Sequence, residues 1–95
     1  MRIEYDPVKR TETLALRGID MAKAGEVLSG PTITFEDVRF DYGEPRFLSV
    51  GFIGSRMVIV AWPPRGDIRR IISMRKANDR ERARYGQDLR DLAGR

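Results

Sequence analysis

The 95-residue chain contains neither cysteine nor histidine. Without Cys there is no disulfide framework and no thiolate metal site, which suits a reducing compartment. Without His the chain lacks the commonest metal ligand and the usual acid–base group near neutral pH. A metal site would have to be built from carboxylates alone, so no metal and no cofactor is expected. Long apolar runs are missing too. The longest, "MVIVAW" from Met57 to Trp62, is far short of the roughly 20 residues needed to cross a bilayer. The opening "MRIEYDPVKR" carries Glu4 and Asp6 and lacks the apolar stretch of a signal peptide. A soluble, cytoplasmic protein with no membrane partner is expected.

What is present in excess is positive charge, and it is unevenly placed. Residues 1–64 carry 8 Lys and Arg against 9 Asp and Glu, whereas residues 65–95 carry 10 against 5. The net charge of +4 therefore comes entirely from the last third, where a polyanion would feel it. The plainer meaning of such a bias is a solvated charged face.

The length fits one domain, residues 1–95, since single domains commonly run to about 100–150 residues. Asp6-Pro7 reads as a helix opening, with Asp as N-cap and Pro at the first helical position. That helix is expected to reach about Leu16, with Gly18 ending it. Asp20 caps a second helix in which Met21, Ala24, Val27 and Leu28 share a face. "TITFE" (residues 32–36) is β-branched and alternating, hence a strand, and "DVRFDYGEPR" is a polar loop. "FLSVGFI" and "RMVIVAW" form a hairpin over Gly54-Ser55, a pair suited to a type II′ turn. Ile68 to Arg75 reads as one last strand and Asp79 to about Leu92 as a last helix, with "DLAGR" fraying. The class is α+β, an antiparallel meander with the helices packed on one face of the sheet.

Alternation along the last strand puts Arg69, Ile71, Ser73 and Arg75 on one face and Ile68, Arg70, Ile72 and Met74 on the other. The second face is the more apolar and is expected to meet the helices, leaving Arg70 awkward unless a bulge re-aims it. The first face, with its two guanidiniums, is expected to be open. Arginine suits phosphate because its planar fork donates two parallel charge-assisted hydrogen bonds. Trp62, Phe47 and Phe52 sit in apolar strands and read as core, whereas Phe40 and Tyr42 in the polar loop suit contact with a base or a partner.

In order along the chain, "EYDPVKRTETLALRGID", "EVLSGPTITFEDVRFDYGEPRFLSVGF" and "RRIISMRKANDRERARY" together resemble the BrnT family of type II toxins, a branch of the RelE-like ribonuclease toxins. The likeness extends to Tyr85. It implies a RelE-like fold of N-terminal helices and a C-terminal helix on an antiparallel sheet. It further implies endoribonuclease activity that inhibits translation on RNA, ribosome-associated or free. The partner it implies is a BrnA-type antitoxin with a ribbon-helix-helix part, so that operator DNA is met only through the antitoxin. One position departs: the family's "KHG" is Leu16-Arg17-Gly18 here. Arginine keeps the charge but cannot act as a general base.

Metal-free RNA cleavage uses the neighbouring 2′-hydroxyl as nucleophile, so the protein must hold the phosphate, stabilise developing charge and move two protons. Arg75, Arg70 and Arg17 are the candidates for charge stabilisation. Without His, acid–base work falls to Glu81, Tyr85 or Lys9. Tyr85 is equally a core residue in register with Leu89 and Leu92, and Glu81 a surface partner of arginines. Lys9, Arg69, Ser73, Lys76 and Arg80 are candidates for binding the strand. The competing reading is a weakened toxin homologue kept for antitoxin binding and operon control. A direct DNA-binding regulator is disfavoured by the lack of a helix-turn-helix pattern.

Overall fold

Local signals open and close the first helix as the sequence implies. The structure, a computed structural model, describes residues 2–94. Asp6 Oδ1 accepts the Val8 N–H at 2.9 Å, Pro7 begins α1 (Pro7–Arg17), and Gly18 ends it at φ 67°. Before α1 lies a strand that the sequence pattern does not announce, β1 (Arg2–Tyr5). After it, Asp20 caps a single 3₁₀ turn (Met21–Lys23), and only then does α2 (Ala24–Ser29) begin. The expected second helix is thus shorter and starts as a tighter coil, though Met21, Ala24, Val27 and Leu28 are all buried. Arg10 grips Asp20 through two hydrogen bonds of 2.7 and 2.9 Å, tying α1 to the turn.

The remaining elements are β2 (Ile33–Glu36), β3 (Phe47–Ile53), β4 (Arg56–Trp62), β5 (Pro64–Arg65), β6 (Ile68–Ile71), β7 (Ser73–Lys76) and α3 (Asp79–Ala93). They form two sheets. The larger is an antiparallel meander ordered β2-β3-β4-β7, and the smaller is ordered β1-β6-β5 with β1 parallel to β6. At the β3–β4 hairpin Gly54 has φ 58° and no non-glycine residue among those described has positive φ, the pattern of a type II′ turn. α3 continues to Ala93, and Arg95 lies outside the described residues.

The single strand expected from Ile68 to Arg75 is broken at Ile72. The Ile72 N–H reaches Ala61 O at 2.9 Å, on the residue that Ser73 also faces in register. Two residues therefore oppose one, as in a bulge. The cause is packing: Ile71 and Met74 both enter the same core at 2% and 0% exposure. Three positions apart, they could not do so on an unbroken strand, where neighbours alternate in face. Alternation of Arg69, Ile71, Ser73 and Arg75 on one face is thereby overturned.

The helices also do not share one face. Val58, Val60 and Trp62 of β4 pack with Ile19, Met21 and Val27. On the other face Met57 and Ile59 pack with Val50, Ala77 and Leu89 of α3. The larger sheet is therefore sandwiched, with the 3₁₀ turn and α2 on one side and α3 on the other, while α1 lies beside its edge strand β7. α2 approaches β3 closely. A Cβ on Gly51 would lie 2.8 Å from Val27 Cγ1, 3.1 Å from Thr32 Cγ2 and 3.3 Å from Pro31 O. Gly51→Ala is expected to cost about 1–3 kcal/mol by overpacking, lowering the Tm by roughly 4–8 °C per kcal/mol. Thermal denaturation checks this, and an unchanged Tm would contradict it.

Candidate active site

α3 covers only part of its face of the sheet. Where it stops, Leu48, Ile59 and Ala61 floor an open cleft of about 410 Å³. β7 supplies one wall with Ser73 and Arg75, and Lys9 reaches in from α1. The opposite wall is the loop joining β2 to β3, through Asp37, Arg39, Tyr42 and Arg46. That loop is closed at its base by a ladder bond from Asp37 N to Arg46 O at 2.7 Å. The loop's side chains are thereby fixed over the sheet.

Two of the arginines are each clamped by a carboxylate. Arg75 donates through both Nη atoms to Glu81 at 2.7 and 2.8 Å, leaving its Nε edge free of that carboxylate. Glu81 is the N3 residue of a capping box, its Oε1 also accepting the Asn78 N–H at 2.9 Å while Asn78 Oδ1 accepts the Glu81 N–H. The Arg75 guanidinium, aided by that backbone N–H, holds the Glu81 carboxyl below the usual carboxylate range, and Glu81 in turn raises Arg75. On the facing wall Arg39 donates Nε and Nη2 to Asp37, both at 2.8 Å, and Tyr42 Oη donates to the same carboxylate at 2.9 Å. Those bonds, Arg39's first, hold the buried Asp37 far below its ordinary range. The Arg46 Cζ lies over the Tyr42 ring, 3.7 Å from its centre, and the buried Arg46 Nε has no partner. Four cations thus meet two carboxylates around this cleft, a surplus of two positive charges.

The residues singled out from sequence fall in different places. Arg75, Ser73 and Lys9 come together in the cleft, with Glu81 behind Arg75. Arg17 lies at the end of α1, where its Nη1 donates to Met74 O at 2.9 Å, and shares a neighbouring hollow with Lys9 and Ser73. Arg70 is in the smaller sheet, 3.8 Å from Glu4, and Arg69 covers the Trp62 ring at 4.3 Å. The strand break separates both from Arg75. Tyr85 stacks on Phe35 with ring centres 6.1 Å apart and packs against the α3 core. Lys76 and Arg80 are exposed beyond the cleft. Sequence reasoning does not single out Arg39, Arg46 or the orienting Asp37. Their signal is a polar loop carrying two arginines, held between strands that pair directly with each other.

The chain is thus a small α+β domain that gathers cations over the open half of a sheet, an arrangement that favours polyanions. The particular family follows from comparison: the family model for BrnT, the ribonuclease toxin of type II toxin–antitoxin systems, matches residues 5–81, and the chain belongs to that family. The matched span includes every cleft residue named above. No curated protein matches the chain. Among the described residues, no helix is long and apolar enough to cross a membrane, and no three His, Cys, Asp or Glu residues group so as to hold a metal ion.

The clamped carboxylates set a pH dependence. Glu81 and Asp37 bind protons less readily folded than unfolded, and Asp20, beside Arg10, is lowered to about 2. Their stabilisation is complete above the ordinary carboxylate pKa of about 4 and disappears as pH falls below it. The Tm is expected to fall steeply below roughly pH 4, and Glu81→Gln is expected to lower the Tm at pH 7 while making the acid fall shallower. Melting curves across pH check this; a Tm that rises on acidification would contradict it.

Proposed function

We propose that this protein is an endoribonuclease toxin whose cleft holds the scissile phosphate of RNA, halting translation. The observation that carries this reading is the convergence of Lys9, Arg39, Arg46 and Arg75 on one open cleft. The nucleophile is the substrate's own 2′-hydroxyl. It attacks phosphorus, the bond to the 5′-oxygen breaks, and negative charge grows on the non-bridging oxygens. The free Arg75 Nε edge and the Arg39 edge turned away from Asp37 are donors already oriented for that charge, and oriented donors of this kind commonly dominate catalysis. Both Glu81 oxygens are already committed to Arg75 and Asn78, so we assign Glu81 to positioning. Lys9 and Tyr42 are the cleft groups that can pass protons to and from the substrate.

We read the fold as RelE-like, supported by the antiparallel meander with helices before and after it. The partner on this reading is a BrnA-type antitoxin that covers the cationic cleft, bringing operator DNA into contact only through its own ribbon-helix-helix part. A second reading, a weakened homologue that serves antitoxin binding and operon control, draws support from Arg17. Standing where the family has His, Arg17 ties α1 to the Met74 carbonyl.

Arg75→Ala is expected to reduce RNA cleavage by about 10²–10³-fold and to relieve growth arrest, with folding checked by circular dichroism. Arg75→Lys is expected to recover only part of the activity, because an ammonium lacks the planar fork. Cleavage by Arg75→Ala at the parental rate would remove Arg75 from the chemistry.

A further inference from the structure

Beside the cationic cleft lies a second hollow of about 400 Å³, which shares Asp37, Arg39 and Tyr42 with it as a common wall. Its character is different. Val38, Phe40 and Pro45 make it apolar, and Glu36, Asp41 and Glu44 make it acidic. Phe40 is 68% exposed, next to Val38 at 77%, so the two form an exposed apolar patch in this hollow. The ring is nevertheless supported edge-on by Tyr42 at 5.9 Å and 74°, and Tyr42 is itself pinned between Asp37 and Arg46. An exposed aromatic held in place next to a phosphate-binding cleft is what a stacking platform for a nucleobase requires.

The split of charge between the two hollows orients a nucleotide. Phosphate is drawn to the arginines and repelled by the carboxylates, so the base, which is neutral, takes the acidic hollow. The carboxylates also select among bases. Asp37 is neutralised by Arg39, Glu44 lies 3.3 Å from Arg65, and Asp41 accepts the Gly43 N–H. Glu36 is in no ion pair among the described residues. An ionised carboxylate only accepts, with two oxygens side by side, and among the four bases guanine alone presents two adjacent donors, N1–H and N2–H. Building on the ribonuclease reading, we propose that this hollow is a guanine subsite adjoining the scissile phosphate, with Phe40 stacking on the base and Glu36 accepting its N1–H and N2–H.

The test uses the full chain and 2′-O-methyl pentanucleotides, UUGUU and its central inosine and adenine counterparts, which bind but cannot be cleaved. By fluorescence anisotropy the guanine oligonucleotide is expected to bind tightest, with inosine and adenine roughly 10-fold weaker. Phe40→Ala is expected to weaken guanine binding by roughly 5- to 100-fold without lowering the Tm, and Glu36→Gln to reduce the preference of guanine over inosine. Equal affinity for the guanine and adenine oligonucleotides, or parental guanine binding by Phe40→Ala, would overturn the subsite. Cleavage of unmodified RNA is measured in parallel and reads the underlying activity separately. Cleavage with no base preference would sink the subsite alone, whereas guanine-selective binding without cleavage would support the subsite and sink the ribonuclease reading.

Discussion

The break at Ile72 is the constraint on which the site depends. The core between β4 and the segment of the 3₁₀ turn and α2 needs both Ile71 and Met74, and an unbroken strand cannot deliver two residues three apart to one side. With an extra residue facing Ala61, the chain passes from the smaller sheet to the larger and resumes alternation one step out of phase. Met74 then points into the core while Ser73 and Arg75 emerge on the opposite face. Burial of apolar side chains, worth about 1.5–3 kcal/mol each, outweighs the ladder bond disturbed at the bulge. The placement of Ser73 and Arg75 in the cleft is thus a by-product of core packing.

α3 then decides how much of that opposite face remains open. Leu89 and Ala77 cover the half occupied by Val50, Met57 and Ile59, and the capping box that starts the helix puts Glu81 within reach of Arg75. The same carboxylate begins a helix and fixes a guanidinium. On the other wall Asp37 fixes Arg39 in the same way. On the proposed reading, two oriented arginines facing each other would lose little freedom when a phosphate arrives, which is the advantage of preorganised donors over flexible surface charge. Several arginines outside the cleft have structural partners instead: Arg70 has Glu4, Arg69 has Trp62 and Arg82 has Asp79.

Features set by neighbours in sequence are legible from the residues alone. Asp6-Pro7 and Gly18 bound α1 because capping is a matter of a few adjacent atoms, and the β3–β4 hairpin follows from its turn pair. Contacts set by distant residues are not legible in this way. β1 has four residues and finds its partner β6 more than sixty positions later; nothing in "RIEY" announces that. Arg75 stands out through its place near the end of a strand. Arg69 and Arg70 group with it in the sequence because a bulge demanded by the core leaves no mark in the polar pattern. Arg39 and Arg46 escape notice because a polar loop reads as solvated until the ladder bond at its base shows that it is held.

Attack by the substrate's 2′-hydroxyl in a cleft of fixed cations has a chemical signature in its products. The most direct measurement is therefore the identity of the RNA ends after cleavage by the purified protein in excess EDTA. Cleavage that persists and yields 2′,3′-cyclic phosphate or 3′-phosphate ends opposite 5′-hydroxyl ends is the predicted result. Loss of cleavage on chelation, with 5′-phosphate ends when metal is restored, would contradict it.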